Sequence, residues 1–126
     1  MGIRLIKISV VYFIIGICIG LYMSIAHSYT LAPVHTHINL LGWTALTLAG
    51  IIYHLFPKLA TTVLAKTHFW LHNIALPVMM IGLAFVVNEN EDFVSVVAAG
   101  GTVLVIAIIL FGLNILIHLK SKDETL

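Results

Sequence analysis

The chain has 126 residues, of which 61% are hydrophobic and 9% charged, with a formal net charge of +1. An ordinary soluble domain carries about 25% charged residues, so that class is excluded. No basic stripe is present to meet phosphates, which argues against nucleic acid as a partner.

Taken in chain order, four apolar runs set the architecture: Ile8 to Ala26, Ile38 to Phe56, Phe69 to Val87 and Phe93 to Leu119. Each reaches the roughly 20 residues that cross a bilayer's hydrocarbon. Helix ends are expected near 8–27, 35–56, 67–87 and 93–119. Connections this short imply a single all-α domain over 1–126, an integral membrane, antiparallel four-helix bundle. A signal peptide is the alternative for the first run, with Arg4 and Lys7 as its basic region and Ser24-Ile25-Ala26 as its cleavage site. The run is long for that role, and removing it would break the charge pattern described next.

Arg4 and Lys7 precede span one, Lys58 and Lys66 lie between spans two and three, and Lys120 and Lys122 follow span four. The connection between spans three and four, Asn88-Glu89-Asn90-Glu91-Asp92, is acidic. This positive-inside pattern predicts a multi-pass protein of a bacterial cytoplasmic membrane with both termini cytoplasmic. The tail from Lys120 to Leu126 is expected to fray.

Within span one, Gly16-Ile17-Cys18-Ile19-Gly20 is a GxxxG motif, which lets a second helix or a flat cofactor approach the backbone closely. Cys18, the only cysteine, allows neither a disulfide framework nor a thiolate metal site in one chain, and is expected to be a small buried hydrophobe. Pro77 is expected to kink span three. Trp43, Trp70, Tyr12 and Tyr53 fit interfacial belt, packing or cofactor-neighbour roles equally.

Seven histidines divide by depth. His27, His35 and His37 fall near the acidic end of the bundle; His54, His68, His72 and His118 fall near the basic end. An imidazole in hydrocarbon is costly and signals a job and a partner. Successive helical residues are about 100° apart, so His35 and His37 point to nearly opposite sides of one helix. They can serve different ligands but cannot easily share one metal ion. Asn39, four residues after His35, can support its ring as a hydrogen-bonding neighbour; His27 is expected beside His37. Gly42 and Trp43 complete this candidate cofactor surface. His68 and His72 share a helical face at i, i+4, a spacing that suits a transition metal such as copper or zinc with His54 as third ligand. The alternative places His54, His68 and His118 in headgroup water, with His72 deeper.

His35-Thr36-His37, the long apolar run, and Tyr53-His54-Leu55-Phe56-Pro57 resemble the tenth helix of subunit I of haem–copper terminal oxidases. Lys66-Thr67-His68-Phe69-Trp70-Leu71 resembles the start of that subunit's eleventh helix, and nitric oxide reductases of the same superfamily share the pattern. About half of the chain carries the resemblance. It implies that His35 takes the place of the proximal ligand of a high-spin haem and His37 that of an axial ligand of a low-spin haem; the position of His54 is not an iron ligand there. The catalytic subunit has many more helices. Its copper-ligating helix has no counterpart here, so oxygen reduction by one chain is not implied. A second axial ligand would come from His27, His72 or another copy of the chain.

The expected function is therefore a small b-type haem protein for electron transfer or for binding O₂ or NO, working as a homodimer beside respiratory-chain proteins. The rival expectations are a copper-binding membrane protein and a non-catalytic oxidase assembly subunit.

Overall fold

The computed structural model describes residues 1–120; the expected fraying at 121–126 lies outside the described residues. Every element among the described residues is helical: α1 (Gly2–Ala26), α2 (Ala32–His37), a π-helical turn (Ile38–Thr44), α3 (Ala45–Leu55), a 3₁₀ turn (Leu59–Thr61), α4 (Val63–Val86), a 3₁₀ turn (Glu91–Phe93) and α5 (Val94–His118). α2, the π turn and α3 run on as one rod. Among the described residues, four rods are therefore long and apolar enough to cross a membrane, Gly2–Ala26, Ala32–Leu55, Val63–Val86 and Glu91–His118. It is a multi-pass membrane protein.

The helices begin earlier than the apolar runs. α1 takes in Arg4 and Lys7, and α4 takes in Lys66. All three are exposed. Long cationic side chains can keep their stems on a helix while their charges stay in water, so charge does not mark the helix end. α4 starts where it does because Thr62 caps it, its hydroxyl accepting from the Ala65 N–H at 3.0 Å. Pro77 lies inside a continuous α4.

α1 packs along the second rod and α4 along α5. Two cores result. Toward the acidic end, Val34 and Ile38 meet Ala75, Leu76, Met79, Met80 and Leu104. Toward the basic end, Leu5, Leu46, Ala49, Tyr53, Leu59 and Ala65 meet one another. Ile14, Ile25, Ile81, Val105 and Leu116 stay exposed, as lipid-facing side chains must. Cys18 belongs with this outer set: it is exposed rather than buried, because its neighbours Gly16 and Gly20 take the inner face of α1.

Candidate functional site

The second rod opens without a side-chain cap, and Pro33 fits its first turn because that position has no backbone N–H to satisfy. Two imidazoles follow, and each is tied to a carbonyl. His35 Nδ1 lies 2.8 Å from the Gly16 carbonyl oxygen of α1. His37 Nδ1 lies 2.7 Å from the carbonyl of Pro33, one turn back. A carbonyl only accepts, so both Nδ1 atoms carry the proton and both Nε2 atoms keep a lone pair. This is the tautomer in which a backbone carbonyl orients a histidine for ligation through Nε2.

Asn39 does stand beside His35. Its Nδ2 donates to the His35 carbonyl oxygen at 2.9 Å and lies 3.3 Å from His35 Nδ1. The ring nitrogen is already a donor toward Gly16, so the backbone bond is the one Asn39 makes. The pair sits in the GxxxG seat. A Cβ on Gly16 would come within 2.5 Å of Asn39 Oδ1, and one on Gly20 within 2.9 Å of His35 Cε1. The close approach that motif permits is thus taken by this chain's own second rod.

Gly42 and Trp43 are occupied in the same interface. A Cβ on Gly42 would meet the Tyr12 ring at 2.6 Å, and Trp43 stacks on Phe13 with ring centroids 4.5 Å apart. His27 is exposed and caps α1 in the left-handed conformation, φ 50°, its backbone N–H bonded to Met23 O.

The histidines of α4 turn inward. His68 and His72 are each 1% exposed. His68 is therefore not in headgroup water: its Nδ1 is 3.1 Å from the Tyr53 hydroxyl and its ring centroid 5.0 Å from that of Phe111. Tyr53 is a buried core residue, edge-on to Phe111 and hydrogen-bonded to His68. Asn114 in turn accepts from Thr62 Oγ1 at 2.8 Å and donates to Leu59 O at 3.0 Å. The sequence alone leaves three roles open for Tyr53 and does not mark Asn114 as its neighbour in the core. An amide in the middle of an apolar run is the signal that could have found it.

His72 Nε2 donates to the Leu41 carbonyl oxygen at 3.0 Å. That carbonyl lies where the π turn returns to α spacing. The Ala45 N–H reaches back five residues to Leu40 O. Returning to a four-residue reach skips one carbonyl, and the next in line is Leu41. His72 fills the vacancy. Its other nitrogen, Nδ1, is buried with no partner among the described residues. His68 and His72 meet edge-to-face with centroids 5.3 Å apart.

His54 and His118, by contrast, are exposed, as expected for interfacial residues. His54 lines an open groove at the basic end with Gly2, Arg4 and Pro57. Among the described residues no three His, Cys, Asp or Glu side chains converge on one point. Thr47 and Ser9 form one more buried polar link, Oγ1 to Oγ at 2.8 Å, with Ser9 donating to Ile6 O.

Comparison of the chain with protein-family models, with curated proteins and with solved structures finds no match.

Proposed function

We propose that the chain is a small b-type haem-binding protein of a bacterial cytoplasmic membrane, with both termini cytoplasmic. The observation that carries this reading is the shared tautomer of His35 and His37: each Nδ1–H is held by a backbone carbonyl and each Nε2 is left basic. Two such rings in a membrane helix fit the donor chemistry of ferric and ferrous haem. His37, bound only within its own helix, is the first choice of iron ligand. His35 is seated on Gly20 and is the candidate for a second haem.

Haem would supply one-electron redox chemistry or a site for a diatomic gas. The chain's part is to orient the imidazoles and keep water away from them. His72 has its Nε2 engaged by the Leu41 carbonyl, so the second axial ligand would come from His37 of a second copy or from the exposed imidazole of His27; the first arrangement is the reason to expect a homodimer. A bis-histidine site passes electrons; a site with an open position binds O₂ or NO.

The test is an absorption spectrum of the purified full chain, oxidised and reduced, with the haem-to-protein ratio. A Soret band with at least one haem per two chains is the expected result, and a higher ratio would count the second haem at His35. A colourless protein holding stoichiometric copper would replace this reading with copper handling through histidine. A colourless, metal-free protein that co-purifies with an oxidase would replace it with an assembly role.

A further inference from the structure

The basic end carries a cleft of about 350 Å³ between α1 and α4, lined by Met1, Arg4, Lys66, Phe69 and Trp70. Arg4 and Lys66 are exposed and reach it from different helices. The acidic side chains among the described residues, Glu89, Glu91 and Asp92, all stand at the other end, so none of them neutralises this cleft. Two cations sharing a cleft beside a bilayer, with no carboxylate between them, make it complementary to an anion. Lys66, Trp70, Ile74 and Val78 stand four residues apart, all exposed, on one ridge of α4. Such a ridge slants around its helix. It starts at the cleft, facing α1, and ends in a second groove of about 340 Å³ between α4 and α5, whose walls are apolar and include Leu71, Ile74, Val78, Ala99 and Val103. The rise from Lys66 to Val78 is about 18 Å, close to the depth of one leaflet from its headgroup edge to the bilayer centre. Charge, interfacial aromatic ring and apolar groove thus follow one another in the order in which a phospholipid presents phosphate, glycerol and acyl chain.

We propose that the cleft and the groove bind one anionic phospholipid from the leaflet at the basic end, with its phosphate between Arg4 and Lys66, its glycerol against Trp70 and one acyl chain between α4 and α5. A guanidinium presents paired N–H donors to phosphate oxygens, and an ammonium adds a compact charge. A zwitterionic headgroup brings a cation of its own, which both side chains repel, so a headgroup of net negative charge is selected. Free phosphate would use the two cations and leave the aromatic ring and the groove unused; a lipid uses all three. The site rests on the membrane-spanning helices alone and does not depend on the haem reading.

The test is native mass spectrometry of the full chain in mild detergent, offered equal amounts of phosphatidylglycerol and phosphatidylcholine with the same acyl chains. Phosphatidylglycerol is expected to be retained at least about tenfold better. Arg4→Gln and Lys66→Gln are each expected to lower that preference by about fivefold. Both side chains are exposed, so neither change disturbs the core. Lys120→Gln removes an exposed cation at the same end but outside the cleft, and is expected to leave the preference unchanged. Ala99→Leu fills the groove and is expected to weaken retention of both lipids alike. Equal retention of the two lipids by the wild type would overturn the proposal. So would an equal loss of preference in Lys120→Gln, since general surface charge would then be the cause. Displacement of the lipid by inorganic phosphate, at an ionic strength matched with acetate, would assign the cleft to the free anion, and full retention in Ala99→Leu would remove the acyl chain from the groove.

Discussion

His72 Nε2 and the Leu41 carbonyl oxygen, 3.0 Å apart, tie α4 to the second rod where the π turn ends. The bond supplies a donor to a carbonyl that its own helix leaves unserved, in a place where water cannot substitute. His72→Phe keeps the volume and removes the donor. It is expected to lower stability by about 1–3 kcal/mol, the usual cost of a buried acceptor left alone. Unfolding in a denaturing detergent titration measures this directly.

The haem assignment separates two histidines that lie close in sequence. His37→Ala is expected to abolish most haem binding, whereas His27→Gly is expected to retain it. The second substitution also suits the backbone, because the left-handed region that His27 occupies costs an ordinary residue about 1 kcal/mol and glycine nothing. Haem content and melting temperature of the two variants, measured side by side, check both halves. Full haem occupancy in His37→Ala would remove the proposed ligand.

Gly16 has no room for a side chain. A Cβ there would lie 2.5 Å from Asn39 Oδ1, so Gly16→Val must push the second rod away from α1. Overpacking of this kind costs typically about 1–3 kcal/mol. It should also pull His35 off the Gly16 carbonyl, releasing its Nδ1–H. A ¹⁵N spectrum of the His35 ring in that variant would show mixed tautomers where the wild type shows one.

Thr62 serves two partners at once, accepting from the Ala65 N–H and donating to Asn114 Oδ1. Thr62→Ala loses a helix cap and leaves a buried amide oxygen short of a donor. The combined cost is expected near 2 kcal/mol. Thr62→Ser, which keeps the hydroxyl, should recover most of it in the same unfolding assay.

The four spans were legible in the sequence because crossing a bilayer depends on length and summed apolarity, which short-range order does not disturb. The faces of those spans were less legible. His68 and Tyr53 look interfacial by their distance from Lys58 and Lys66, yet both are core residues, since what decides burial is rotation about the helix and not depth. The GxxxG motif correctly marked a close approach, but spacing alone could not name the second rod of the same chain as its occupant. The tautomers of His35, His37 and His72 were out of reach for a simpler reason: their partners are the carbonyls of Gly16, Pro33 and Leu41, and every residue has a carbonyl.

The π turn at Ile38–Thr44 also works as a phase shifter. It accommodates one residue more than an unbroken α-helix would, and one residue is about 100° of rotation. Eighteen residues, five whole turns of plain α geometry, separate His35 from Tyr53 and would set both on one face; the extra residue turns them apart, His35 toward Gly16 of α1 and Tyr53 toward His68 and Phe111 of α4 and α5. Deleting Thr44 inside the turn would keep both side chains and still swing Tyr53 away from His68 and Phe111, toward the face that His35 presents to α1. The facing of one half of the rod relative to the other is thus set by an angle, and a change that touches neither His35 nor Tyr53 would reset it.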